Sequence, residues 1–397
     1  MSDYPLEPLG NICEINPDTL AEASDPTRRY RYIDLSSIKE QKTDLRITPL
    51  PFAVLPSRAR RRVAFNDVLL GTVRPNLKNF AIIESEDNDL LCSTGFAVLR
   101  SKKNISDPRF IFHVINSEIA TRQLNALVTG SNYPAVNATQ VADLLLPIPP
   151  LPEQKKIAEI LSGIDNSIKS LRLKKEKVKF AKSATSLHIF KSLKDSEQTA
   201  TQVSDLQSLA SIPISYGVLV PDNATREGGV PMIKIQDINQ GKIQTEKLSY
   251  ISRTLHDRYA KTEVKTGDLL ISLIGSIGIT ARVPDVLEGA NVSRQFAVIR
   301  TSSPAISDYL HCFLRGGVAQ EKISFLSQGN AQKALNLDSL RGLEVPLKSN
   351  AEMDRIVRIC QALDLIIESI SRRIDKAEKI RLSVASDLLS GRKRVTI

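Results

Sequence analysis

Two stretches of this chain, about 200 residues apart, spell nearly the same framework. Leu91-Cys92-Ser93-Thr94-Gly95-Phe96-Ala97-Val98-Leu99-Arg100 is answered by Asn291-Val292-Ser293-Arg294-Gln295-Phe296-Ala297-Val298-Ile299-Arg300. The same step links Tyr32-Ile33-Asp34-Leu35 to Met232-Ile233-Lys234-Ile235, and Asp67-Val68-Leu69-Leu70 to Asp268-Leu269-Leu270-Ile271. Gly130 with Gly329, Asn137 with Asn336, Pro147 with Pro346 and Ile157 with Ile356 keep it to the second half's end. Self-similarity at a fixed offset is the mark of a repeated structural unit. A duplication of this size predicts two similar domains related by an approximate two-fold axis, and hence a ligand engaged at two places.

The chain's 397 residues allow two well-cored domains, and 42% hydrophobic with 25% charged residues is an ordinary globular balance. Lys and Arg outnumber Asp and Glu by 54 to 44, a formal charge of +10 that favours polyanions, nucleic acid first among them. Cys13, Cys92, Cys312 and Cys360 are too scattered for a metal knuckle or a disulfide framework. They read as buried thiols of a reducing cytoplasm. Met1-Ser2-Asp3-Tyr4-Pro5 shows no basic start leading into an apolar run, and no apolar run nears the roughly 18 residues that span a bilayer. The expectation is a soluble, cytoplasmic protein with no membrane partner.

Residues 1–150 read as mixed α/β, with candidate strands at Tyr30–Leu35, Val68–Val73, Phe80–Ile83 and Phe96–Leu99 and helical spacing over Pro108–Leu127. Pro147-Ile148-Pro149-Pro150-Leu151-Pro152 then forms a stiff boundary, because proline fixes its own φ and disfavours helix in the residue before it. Beyond it Ile157, Leu161, Ile164, Ile168, Leu171 and Val178 recur at spacings of 3, 4 and 7 with Lys and Glu between them. That predicts a long amphipathic helix of coiled-coil character over about 151–195. The second half repeats it from Ile356 through Cys360, Leu363, Ile367, Ile370, Ile374, Ala377, Val384 and Leu388, stopping at Gly391. Two narrow apolar seams suit each other better than they suit a sheet, and a two-fold axis across them makes the pair antiparallel. The competing arrangement packs each helix on its own domain. The boundaries that follow are 1–150 and 196–348 for the domains, 151–195 for the central helix and 349–397 for the distal one.

No catalytic constellation is legible. Walker and dinucleotide-binding loops are absent, since Leu273 stands where Gly275-Ser276-Ile277-Gly278 would need its leading glycine. His113, His188, His256 and His311 have no metal-ligand spacing. Asp257 with Glu263-Val264-Lys265 has the residue types of a metal-dependent nuclease, but its duplicate holds Arg62 and Ala64 in place of Glu263 and Lys265. A duplicated protein with half an active site is not a nuclease.

What the sequence does supply is donors for DNA. Arg58, Arg60, Arg61 and Arg62 form a basic cluster suited to phosphates, against the plainer reading of a solvated loop. Arg74, Asn76 and Lys78 follow the next strand, and Arg and Asn are the side chains that bond guanine and adenine edges in pairs. A plain polar turn around Pro75 fits those residues equally. Ser131, Asn132 and Tyr133 lie in a loop whose counterpart holds Asn330, Gln332 and Lys333. Gly130/Gly329 and Asn137/Asn336 recur around it as a shared cap or turn. Arg253, Arg258, Ser276 and Arg294 complete the second half's candidates, a sparser set than the first half's. Two differently equipped domains on one frame imply two different target sequences.

The chain resembles the specificity subunit of type I restriction–modification systems. The resemblance spans nearly its whole length and rests on Asp67-Val68-Leu69-Leu70, on Thr94-Gly95-Phe96-Ala97-Val98-Leu99-Arg100 and on Leu146-Pro147-Ile148-Pro149-Pro150-Leu151-Pro152-Glu153-Gln154-Lys155-Lys156-Ile157-Ala158. The second copies are Gly267-Asp268-Leu269-Leu270-Ile271, Gln295-Phe296-Ala297-Val298-Ile299-Arg300 and Gly329-Asn330-Ala331-Gln332-Lys333-Ala334-Leu335-Asn336. The second linker, Val345-Pro346-Leu347-Lys348-Ser349-Asn350-Ala351-Glu352-Met353, departs from the Pro-Pro-Leu-Pro-Glu-Gln run of the first. The resemblance implies two target-recognition domains, each followed by a long helix, the helices packed as an antiparallel coiled coil. It implies a non-catalytic subunit that binds double-stranded DNA, two modification (methyltransferase) subunits and restriction subunits. S-adenosylmethionine and ATP would then belong to those partners, with neither cofactor nor metal in this chain. The alternative from another class is a DNA-bridging scaffold without sequence preference.

Overall fold

The computed structural model describes residues 4–21, 24–39, 42–43, 47–128, 135–195, 202–239, 241–328 and 334–397. The chain divides into two compact units, Met1–Arg172 with Arg372–Ile397 and Leu173–Ser371. Each unit holds a mixed α/β globular part together with one half of each long helix, Leu151–Asp195 and Asn350–Ser390.

In the first unit a sheet runs in the order Cys13–Ile15, Phe96–Ser101, Val68–Gly71, Phe80–Ile82. A second sheet runs Leu50–Pro51, Arg29–Ile33, Leu90–Ser93, Ala59–Arg62. The motif Asp67-Val68-Leu69-Leu70 is continuously apolar because its strand is buried on both faces. Val68 and Leu70 enter a core shared with Phe110, Val114, Ile157 and Leu161. Leu69, on the opposite face, joins Ile33, Leu90, Cys92 and Phe96 from the second sheet. Helices thus cover one side of the central sheet and a second sheet covers the other.

The second unit repeats this frame. Ser215–Tyr216, Phe296–Ile299, Leu269–Ser272 and Thr280–Arg282 form its central sheet, with Leu269 and Ile271 facing helices and Leu270 facing the other sheet. Register is preserved: Leu69 opposes Val98, and Leu270 opposes Val298. So is the buried ion pair at the end of these strands. Asp67 accepts from Arg100 at 2.7 and 2.8 Å and from the Ala64 amide at 2.7 Å. Asp268 accepts from Arg300 at 2.6 and 2.9 Å and from the Lys265 amide at 2.8 Å. The Asp and Arg that recur in the two copies therefore serve the frame.

The long helices pair within each unit. In the first, Asp165 accepts from Arg381 at 2.9 Å and Arg172 donates to Glu378 at 2.7 Å, so partners fall along one helix as they rise along the other. In the second, Lys182 meets Asp364, while Ile189 and Phe190 share a core with Met353, Ile356, Val357 and Cys360. Both pairings are antiparallel. The heptad residues Ile157, Leu161, Ile168, Ile370 and Ile374 are buried. The helix ends also pack into the globular cores, Ile157, Ala158, Leu161 and Leu388 in the first unit. Pairing and domain packing, posed as alternatives by the sequence, are combined.

The crossing itself is duplicated. His113, on helix Pro108–Ile115, sits with its Nδ1 3.9 Å from Asp165 and its Nε2 3.1 Å from Ser162 Oγ. The counterparts of Asp165 and Arg381 are Asp364 and Lys182, and Asp364 also accepts from Arg315 at 2.9 Å, close to His311.

Local differences from expectation have local causes. The expected Pro108–Leu127 helix is two helices, Pro108–Ile115 and Glu118–Leu127, because Ser117 caps the second through the Ala120 amide. The strand expected to reach Leu35 stops at Ile33, where Asp34 accepts from the Ser37 amide and starts a 3-10 turn. Pro152 lies inside the first turn of its helix, which begins at Leu151.

Candidate nucleic-acid interface

Two of the polar groups that the first half offers, and the residues just ahead of Asn137, are tied together by backbone hydrogen bonds. The Thr94 amide donates to the Arg58 carbonyl at 2.9 Å, and the Thr72 amide to the Gly95 carbonyl at 2.8 Å. The Val136 amide donates to the Thr72 carbonyl at 3.0 Å, and Val73 bridges Ala135. A ledge thus runs from Arg58 through the Thr94-Gly95 turn to the hairpin tip at Arg74 and to Ala135 and Val136, just ahead of Asn137. The second unit repeats two of these links: the Leu273 amide donates to the Gln295 carbonyl at 2.7 Å and the Leu335 amide to the Leu273 carbonyl at 2.8 Å, with Ile274 bridging Ala334. The third differs, because the Arg294 amide donates at 2.8 Å to the carbonyl of Val218, which follows Ser215–Tyr216 and is not the counterpart of Arg58. In each unit the turn before Phe96 or Phe296 clamps two other segments through its backbone, which leaves its side chains free to differ.

Arg60, Arg61 and Arg62 lie in an edge strand, Ala59–Arg62, and not in the solvated loop of the plainer alternative. Alternation sends Arg60 and Arg62 to one face and Arg61 to the other. Arg60 packs 5.3 Å from the Phe52 ring centroid and donates to the Ser57 carbonyl at 3.0 Å. Arg62 stands 6.0 Å from the Tyr30 centroid, and Arg28 covers the same ring at 5.4 Å. The aromatic carriers Tyr30 and Phe52 are what sequence reading missed; each adds a cation–π contact that holds a guanidinium in place. Arg61 is half-buried, its Nη1 has no hydrogen-bond partner among the described residues, and burial pulls its pKa below the ordinary guanidinium range. Arg58 is exposed at the start of the ledge.

At the hairpin tip Arg74 and Asn76 are exposed, whereas Lys78 is half-buried and donates to the Asn116 carbonyl at 3.2 Å. Burial lowers the Lys78 pKa. In the second unit Ser276 and Arg294 are exposed on the ledge. Arg253 and Arg258 are exposed on a short helix, Arg253–Arg258, that lies just ahead of the second unit's counterpart of the Arg strand, the turn Ala260–Thr262. That helix is fastened by His256, which pairs with Glu263 at 3.3 Å and meets Asn291 at 3.4 Å. Ser131, Asn132, Tyr133, Asn330, Gln332 and Lys333 lie outside the described residues, as do Gly130 and Gly329. Asn137 and Asn336 are N-caps, accepting from the Gln140 and Asp338 amides at 2.8 and 2.9 Å.

Chemically the ledges present cations, amides and hydroxyls. Among the described residues no group of three His, Cys, Asp or Glu side chains is placed to hold a metal ion. Glu263, of the nuclease-like fragment, directs its carboxylate to His256, and the Lys265 amide caps Asp268. No helix among the described residues is long and apolar enough to cross a membrane.

Residues 64–180 and 187–379 match the family described as the type I restriction modification DNA specificity domain. The chain belongs to this family. It is 25% identical over 413 residues to the putative type I restriction enzyme MjaX specificity subunit of Methanocaldococcus jannaschii, covering 99% of this chain and 94% of that one. It is 28% identical over 297 residues to the type I restriction enzyme EcoBI specificity subunit of Escherichia coli, a match covering 68% of this chain and 61% of that relative's own length. The S subunit of a type I restriction–modification system from M. genitalium shares the fold, with a TM-score of 0.59 at 13% identity over 98% of this chain and 96% of that one. A chain from a study of complex assembly in the type I R-M system does so with a TM-score of 0.61 at 22% identity, covering 97% of both.

Proposed function

We propose that this chain is the non-catalytic specificity subunit of a cytoplasmic type I restriction–modification complex and reads a split site in double-stranded DNA. Residues 1–150 and 196–348 are its target-recognition domains, and the helices of 151–195 and 349–397 set the spacer between half-sites. The reading rests on one observation above all: in both units the same backbone bonds join the turn before Phe96 or Phe296, the hairpin tip and the residues ahead of Asn137 or Asn336, and the side chains carried there differ. Arg58, Arg60 and Arg62 suit phosphates, while Arg74, Asn76, Ser276 and Arg294 suit base edges. The loops of Ser131, Asn132 and Tyr133 and of Asn330, Gln332 and Lys333 join them, with Arg253 and Arg258 at the second half-site and Arg61 and Lys78 as supports. Two modification subunits bind this chain and restriction subunits join them; S-adenosylmethionine and ATP reside on those partners.

Selection from a randomised duplex library by the full chain with its methyltransferase partner should return a motif of two short halves around a fixed gap. Exchanging residues 1–150 for another domain should change one half alone. Binding that weakens with salt yet prefers no sequence would instead identify a bridging scaffold. Removing one heptad from each long helix, around Lys174 and around Arg373, keeps both apolar seams in phase. It takes out about 10 Å of helical rise. The selected gap should shorten by about three base pairs, at a rise of about 3.4 Å each, with both halves unchanged. An unaltered gap would remove the helices' ruler role.

A further inference from the structure

We propose that Arg74 is the side chain with which the first domain discriminates a base pair, through paired hydrogen bonds to a guanine edge, and that a strained hairpin tip exists to present it. The inference rests on the DNA-reading role proposed above and assigns it to one residue.

Strands Val68–Gly71 and Phe80–Ile82 form a hairpin that the second unit repeats as Leu269–Ser272 and Thr280–Arg282. Both tips require left-handed backbone at two places. The second unit meets that demand with Gly275 at φ 80° and Gly278 at φ 83°. The first meets it with Arg74 at φ 50° and Lys78 at φ 50°. Glycine adopts this conformation without penalty, whereas any residue with a Cβ is strained there. Arg74 is strained twice over, because it precedes Pro75, whose ring favours extended backbone in the residue before it. Ser276, which follows Gly275, imposes no such restriction.

The fold therefore tolerates glycine at these positions, and the first unit holds long cations in them instead. Lys78 is half-buried, and its ammonium reaches the Asn116 carbonyl at the end of helix Pro108–Ile115. Arg74 occupies the other side of the tip. It is exposed, and it stands next to the Val73–Ala135 bridge, on the ledge that joins the tip to Ala135 and Val136. Strained, non-glycine backbone held by its surroundings concentrates at functional positions. A guanidinium forks to match the two acceptors of guanine in the major groove. Lysine, a single point charge, does not.

The test uses the full chain, its thermal midpoint and selection from a randomised duplex library. Arg74→Gly should leave the midpoint unchanged or a few degrees higher, since strain is relieved. The same variant should lose discrimination at one base pair of one half-site by about 10- to 100-fold. Arg74→Ala should lose the same discrimination with a midpoint no higher than that of Arg74→Gly. Arg74→Lys should keep most of the affinity and lose the base preference. Arg74→Gly that keeps the full motif overturns the assignment while leaving the domain's reading role intact. A midpoint lowered by the glycine would make Arg74 a structural residue and overturn it too. A wild-type chain that selects no motif removes the reading on which the assignment rests, and the assignment with it.

Discussion

Arg300→Leu should destabilise the second unit by about 3–5 kcal/mol, the cost of leaving a buried carboxylate without its cation. Asp268 has only 3% of its side chain exposed, and Arg300 donates to both its oxygens and to the Glu263 carbonyl at 2.8 Å. The ion pair closes the end of the central sheet, where Leu269 opposes Ile299. Urea unfolding should therefore show a lower midpoint for the unit that contains Arg300. Replacing both partners, Asp268→Leu with Arg300→Leu, should recover much of the loss, because the uncompensated charge is removed with the cation. Arg100→Leu should cost less than Arg300→Leu: Arg100 is 34% exposed against 21% for Arg300, so water reaches the first pair more easily. A loss below about 1 kcal/mol for Arg300→Leu would reduce this pair to an ordinary surface contact.

Duplication, framework strands and long helices were all legible in the sequence, for reasons that the packing makes plain. A strand buried on both faces needs an unbroken apolar run, and Val68-Leu69-Leu70 provides one. A helix that pairs along one narrow seam needs heptads, and Ile157, Leu161 and Ile168 provide those. Local chemistry alone did not reveal the Ala59–Arg62 strand. Three consecutive arginines show no apolar alternation, and their strand is defined by pairing with Leu90–Ser93 and by Tyr30 and Phe52 beneath the guanidiniums. Ser117 as a helix cap is a two-residue signal inside a longer apolar period, which masked it. The ledge is invisible in sequence because it consists of backbone bonds between segments tens of residues apart, such as Thr72 with Val136. Left-handed backbone at Arg74 and Lys78 was hidden too, since only the paired Gly275 and Gly278 betray it, and the two tips differ in length.

Acid should weaken the protein as pH falls from about 6.5 to 4, through a buried histidine. His113 is 3% exposed, and burial, its largest influence, pushes its pKa down to about 4, with Arg381 and Arg109 acting in the same sense and Asp165 against them. In the unfolded chain an imidazole titrates near 6.5. Between about pH 6.5 and 4 the unfolded state therefore holds a proton that the folded state refuses, so stability falls as pH falls through this window and is fully retained above it. The loss from His113 is on the order of 3 kcal/mol by pH 4. His311 in the second unit is driven to about 3, by burial first and then by Arg315 and Arg282, and extends the same trend further into acid. Urea unfolding at pH 7 and pH 4.5 measures the effect. His113→Gln, which cannot take up a proton, should flatten the first unit's pH dependence across that interval while leaving the second unit's slope in place. Equal slopes in the variant and the parent would mean that the proton is taken up elsewhere and that the histidine beneath the Asp165–Arg381 pair is not the acid-sensitive group.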